Sequence, residues 1–195
     1  VASLRAREQA LKLASSPGQE LIELGWIASA ATVLRDRARA AESLARAQTT
    51  LQRLRSGANW ARFGDVWQAN FSHASAKFVR TFGTLAEAET ASRTCIASIR
   101  AHLGKEPDAA DAAFVLLVEC THELIAALVR SGRIDDAAPI ATEMRELARD
   151  YAVKQGRAAF AARMTPVIVR VAVERGRFAE ARADIDFAIE RLRAA

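Results

Sequence analysis

Apolar residues recur at intervals of three and four along nearly the whole chain, with polar residues between them, the pattern of amphipathic helices. Leu44, Leu51 and Leu54 share one helical face, as do Leu85, Cys95 and Ile99. Ile140, Met144, Leu147 and Tyr151 form a third such face, and Phe178, Ile185, Ile189 and Leu192 a fourth. All four predict the outer helices of helix pairs. The stretch from Phe114 to Val129 is apolar on nearly every side and predicts a central, buried helix. No segment alternates with a period of two, and the valines between Val167 and Val173 continue a helical run, so no sheet is expected.

Only four prolines and nine glycines occur, and most of the glycines fall where the apolar pattern lapses, as helix stops do. Breaks are expected at Ser15 to Gly18, Ser56-Gly57, Gly104 to Pro107, Ser131-Gly132, Gln155-Gly156 and Gly176, with weaker ones near Asp36 and Gly83. About nine helices result. Pro166 falls inside the expected helix from Arg157 to Arg175 and should bend it, whereas Pro139 is expected in a first turn, where a missing N–H costs little.

Internal repetition narrows the fold further. Seven-residue segments beginning at Asp36, Gly83, Gly132 and Gly176 align without gaps, and their starts lie 47, 49 and 44 residues apart. Each opens a helix. Glycine closes the preceding helix in a left-handed conformation, an acidic residue suits the positive N-terminus of the next, and alanine lets two helices approach closely.

Gly132-Arg133-Ile134-Asp135-Asp136-Ala137 and Gly176-Arg177-Phe178-Ala179-Glu180-Ala181 resemble the inter-helix turn of tetratricopeptide repeats. That resemblance spans about residues 20 to 195 and implies an all-α fold, a right-handed superhelical stack of antiparallel helix pairs, as one domain over residues 1–195. Its departures are a longer spacing, Asp36 in place of the first glycine, and Ile125 and Val169 where the first helix of a pair usually carries a small residue. In these the chain is similar to the long-helix tetratricopeptide-like domains of bacterial signalling proteins, including MalT-type regulators and the sensory regions of some diguanylate cyclases. The resemblance implies a module that senses a ligand or docks a partner while an effector domain elsewhere acts.

Composition then limits the partners. No apolar run reaches the roughly 20 residues of a membrane span, so no membrane partner is expected. The first residue is Val1, and a fragment of a longer protein is expected. Cys95 and Cys120 offer neither a disulfide framework nor metal-ligand spacing, which favours a reducing cytoplasm. The net charge of +5 comes almost entirely from arginine, but Arg and Glu alternate along most helices, and solvated helix faces are the plainer reading of it.

Chemistry is sparse. His73, His102 and His122 are scattered; Cys120 and His122, two apart on a helix, point in different directions and predict no metal site. Paired carboxylates such as Asp135-Asp136 and Asp184-Asp186 are expected at helix starts or on an exposed face. No nucleophile elbow, phosphate loop or zinc-helix motif appears, so neither an enzyme nor a cofactor is expected.

Transferring the repeat's register onto the chain gives a concave groove with a basic bias. Trp26 comes from the first unit, Asn70, His73, Lys77 and Arg80 from the second, Glu119, His122 and Arg130 from the third, and Arg163 and Arg170 from the fourth. Such a groove suits an acidic peptide of a protein partner or a small anionic ligand. A second reading takes Trp60, Phe63, Trp67 and Phe71 as a stacking platform beside the basic face, for a nucleic-acid-associated protein, against the plainer reading of that stripe as core. The last helix ends without a polar cap, which leaves a homodimer open.

Overall fold

The expected breaks become the connections of an all-helical chain. The computed structural model describes residues 2–105, 110–154 and 158–194. They form α1 (Ala2–Lys12), α2 (Pro17–Val33), α3 (Arg37–Arg55), α4 (Trp60–Phe82), α5 (Leu85–Lys105), α6 (Ala110–Arg130), α7 (Ile134–Lys154), α8 (Ala158–Glu174) and α9 (Phe178–Ala194). Among the described residues there is no strand, and no helix is long and apolar enough to cross a membrane. Of the expected break from Gly104 to Pro107, Gly104 and Lys105 lie within α5, whereas Glu106 and Pro107, the break at Gln155-Gly156 and the side chain of Tyr151 lie outside what the structure describes.

Caps explain several of these boundaries. Ser16 Oγ accepts from Gln19 N at 3.2 Å while Pro17 opens α2 at a position that needs no N–H. At α5, Thr84 and Glu87 form a reciprocal box: Thr84 Oγ1 accepts from Glu87 N at 3.2 Å, and Thr84 N donates to Glu87 Oε2 at 2.9 Å. The bond from the Thr84 backbone, with that from its hydroxyl, holds the Glu87 carboxyl below its ordinary range.

The repeated turn has one register, and it differs from the gapless alignment at one place. Gly132 and Gly176 adopt left-handed φ of 75° and 71°, and Arg133 N and Arg177 N reach back to Leu128 O and Ala172 O. In the first repeat Arg35, not Asp36, takes that conformation, with φ 60°, and Asp36 N reaches back to Ala31 O. Asp36 is instead the N-cap of α3, accepting from Arg39 N at 3.1 Å. The equivalent alanines are therefore Ala40, Ala88, Ala137 and Ala181, all buried, while Ala41 is exposed. Gly83 ends α4 with φ −114°, outside the left-handed region, so glycine there is not required by backbone conformation.

The chain forms two compact units, Val1–Glu123 and Leu124–Ala195. In the first, α1 packs on α2, α2 on α3 and α4, and α4 on α3 and α5. Leu21 and Leu24 of α2, Ala47 and Leu51 of α3 and Trp67 of α4 make its core cluster, each fully buried leucine contributing about 2 kcal/mol. Cys95 and Cys120 are joined in a disulfide, with Cα atoms 6.0 Å apart, which corrects the expectation of two separate thiols. They lie 25 residues apart in sequence but on neighbouring faces of α5 and α6.

In the second unit α7 packs on α8 and α8 on α9. Met144, Ala148, Met164, Ile168 and Val171 are buried. Helix α9 turns a different face inward than its sequence suggests: Ala181, Asp184 and Ala188 are buried, and Phe178, Ile185, Ile189 and Leu192 are exposed. Small residues at 181 and 188 let α9 approach its neighbours closely, which the large apolar residues could not. Asp184 is thus buried rather than on an exposed face, and its carboxylate is bound by Arg145. Pro139 is the sixth residue of α7, past the first turn, so it removes one backbone bond to Asp135 O.

Candidate functional site

Among the described residues, expected groove residues meet in the first unit, on α2, α4 and α6. Asn70, His73, Lys77 and Arg80 follow one another at helical spacing along α4, which brings them to one side of that helix. His73 sits at the middle, only 4% exposed, and the edge of the Trp26 ring from α2 meets its imidazole with centroids 6.3 Å apart. Trp26 is held in turn by Arg7 of α1, whose guanidinium carbon lies 5.1 Å from the ring centroid and whose Nη1 donates to Glu23 at 3.3 Å.

Nε2 of His73 is buried and has no hydrogen-bond partner in the protein. Glu119 Oε2 from α6 lies 4.0 Å away, too far for a hydrogen bond. Burial lowers the His73 pKa most, and Lys77 lowers it next; Glu123 and Glu119 pull the other way without reversing the direction, and His122 adds to the lowering. The imidazole is therefore neutral at neutral pH. Lys77, half-buried on the next turn, has no carboxylate paired with it among the described residues.

Other expected members have different duties. Arg80 is bound across to Glu123 of α6: its Nε donates to Glu123 Oε2 and its Nη2 to Oε1 at 3.3 Å. Glu123 is 3% exposed at its side chain, so this guanidinium neutralises a buried carboxylate rather than adding to a basic groove. Asn70 Nδ2 donates to Val66 O at 2.9 Å, one turn back on its own helix. His122 is exposed, and Glu119 is about one-third exposed. Arg130 is exposed at the end of α6, and Arg163 and Arg170 are exposed on α8, seven residues apart and on one face; these three belong to the second unit.

Of the aromatic stripe, Trp67 is core, and Trp60, Phe63 and Phe71 are partly buried against it. Trp67 is 9% exposed and belongs to the central cluster of the first unit, with Trp60, Phe63 and Phe71 packed against it. Gly18 makes room for it, since a Cβ there would come within 2.8 Å of the Trp67 ring. Trp67 thus offers no free stacking face, while Trp60 is partly exposed.

Glu123, Arg7 and Glu23 escaped the sequence reading. Arg80 and Glu123 are 43 residues apart, and no local pattern links them. Among the described residues no group of three or more His, Cys, Asp or Glu side chains could hold a metal ion. The chain matches no family model, no curated protein and no solved structure.

Proposed function

We propose that the protein is a helical recognition scaffold, a right-handed superhelical stack, whose α4–α6 face binds an acidic peptide segment of a protein partner. The observation that carries this reading is the pairing of a buried, unpartnered His73 Nε2 with an uncompensated Lys77 on the next turn. A buried polar atom left without a partner costs about 1–3 kcal/mol, and a bound group that completes it recovers that energy on binding. Lys77 supplies the attraction for a carboxylate and Trp26 an apolar wall, and a side-chain shift that uncovers the His73 Nε2–H adds a directional hydrogen bond.

With Arg80 committed to Glu123, the face is less basic than its composition suggests, and specificity rests on Lys77 and His73. Arg163 and Arg170 on α8 offer a second exposed cationic pair in the second unit. The tetratricopeptide-like turn supports a role in signalling, with the catalytic or DNA-binding output in an effector domain outside this sequence. A nucleic-acid partner is disfavoured by the burial of Trp67.

Selection of displayed random peptides against the full chain tests the reading. Enrichment of sequences rich in Asp and Glu is expected, with binding weakened about tenfold or more by Lys77→Glu. A pool without acidic bias, or affinities unchanged in Lys77→Glu, sinks it.

A further inference from the structure

A second site lies away from that face, in the first unit. Helices α1 and α3 both flank α2, and between them runs a cleft of about 620 Å³, within the roughly 300–1,000 Å³ usual for small-molecule sites. Its walls repeat one another. From α1 come Arg5, Glu8, Gln9 and Lys12, and from α3 come Arg39, Glu42, Ser43 and Arg46. Each quartet has the order cation, glutamate, neutral polar residue, cation, at the same helical spacing, so each occupies one helix face. The partly exposed Leu11 lines the cleft beneath them, backed by the buried Leu24 and Ile27.

Two such faces could neutralise each other across the gap, and they do so only once. Arg39 pairs with Glu8. Among the described residues, Arg5, Lys12 and Arg46 have no ion-pair partner, and Glu42 is the one remaining carboxylate of the lining. Three cations against one carboxylate therefore face a recess with an apolar floor. Water can solvate those cations, but it gains nothing from the floor.

We propose that this cleft binds a small organic anion, with a carboxylate or phosphate head held by Arg46, Lys12 and Arg5 and a short apolar body laid on Leu11, behind which Leu24 and Ile27 are buried. The guanidinium of Arg46 can grip either head group in bidentate fashion, and Lys12 adds a point charge. Ser43, buried in the same wall, can donate its hydroxyl hydrogen to the head group. The chemistry that recognises such a ligand is an anionic head joined to an apolar tail; neither part alone uses the whole site.

Amide chemical-shift titration of the full chain tests this with four probes: hexanoate, hexyl phosphate, inorganic phosphate and 1-hexanol. The first two should shift amides of α1 and α3 saturably, and at least one should bind about tenfold more tightly than both headless and tailless probes. Whichever of the two binds more tightly names the head group. Lys12→Glu/Arg46→Glu, both at exposed positions, should abolish that binding, and Lys12→Gln/Arg46→Gln should weaken it. Lys77→Glu should leave it unchanged, which separates this site from the peptide face. No saturable shift with either amphiphile overturns the proposal. So does equal binding of inorganic phosphate, or full binding by the charge-reversed variant.

Discussion

Arg145 of α7 closes on Asp184 of α9, its Nε donating to both carboxylate oxygens at 2.9 and 3.0 Å. Asp184 is 5% exposed, and Arg149 Nη2 stands 3.7 Å from Oδ1 on the same carboxylate. These bonds push the Arg145 pKa further up, and the geometry fixes the side-chain register of two helices at a point where the apolar contribution is only alanine. Asp184→Ala should remove the buried carboxylate and leave Arg145 with only the more exposed Glu180, 3.4 Å away, lowering stability by roughly 1–3 kcal/mol. Asp186→Ala, on the exposed side of the same helix, should change it by less than about 0.5 kcal/mol. Urea midpoints of the two variants give the comparison.

Arg80 and Glu123 make the corresponding pair in the first unit. Arg80→Met is expected to be more harmful than the double change Arg80→Met/Glu123→Met, because the single change strands a buried carboxylate, at a cost of roughly 3 kcal/mol. A thermal-unfolding double-mutant cycle measures the difference. If the single variant were as stable as the double, Glu123 would not depend on Arg80 for its charge.

The neutral state of His73 makes stability depend on pH. Its folded pKa lies below the ordinary 6.5, so on acidification the unfolded chain takes up a proton that the native His73 refuses. Stability from this group is present above about pH 6.5 and falls as pH drops below that value toward the folded pKa. The groups that face it are Lys77 on its own helix, Glu119, His122 and Glu123 on α6, and Trp26 on α2. His73→Gln should flatten the slope of urea midpoint against pH between 5 and 7, and an unchanged slope would assign it to another group.

Backbone geometry gives a prediction of opposite signs at equivalent positions. Arg35→Gly should stabilise the protein by about 0.5–1 kcal/mol, since a left-handed arginine becomes an unstrained glycine at an exposed site. Gly132→Ala and Gly176→Ala should each destabilise by about 1 kcal/mol, although no atom crowds a Cβ at either place. Differential scanning calorimetry of the three variants distinguishes this from a packing effect, which would leave both glycine variants near the parent.

What could be read from the chain follows from range. The helices and most of their ends were legible because periodicity, proline and glycine act within a few residues. Burial of Phe114, Ile125 and Leu128 followed from an all-round apolar sequence. Arg35 was missed because an alignment rewards matching letters, while the turn is preserved as a backbone hydrogen bond from Asp36 N to Ala31 O. The inward face of α9 was missed because size, not hydropathy, chose alanine for the close contact. Of the candidate face, the shared helix side of Asn70, His73, Lys77 and Arg80 was legible from helical spacing and Trp26 entered only through the repeat's register, but the bond that removes Arg80 joins residues 43 apart and leaves no local trace.

The bridge between Cys95 and Cys120 also sets how the protein would respond to being pulled. Force applied through the two ends of the chain passes across the bond and bypasses the residues between the cysteines, which stay slack. With a sequence separation of 25, the hidden length is roughly 85 Å of contour. A single molecule stretched to full extension should therefore gain about that much length when a reductant is added, and a chain carrying Cys120→Ser should show the longer contour from the start.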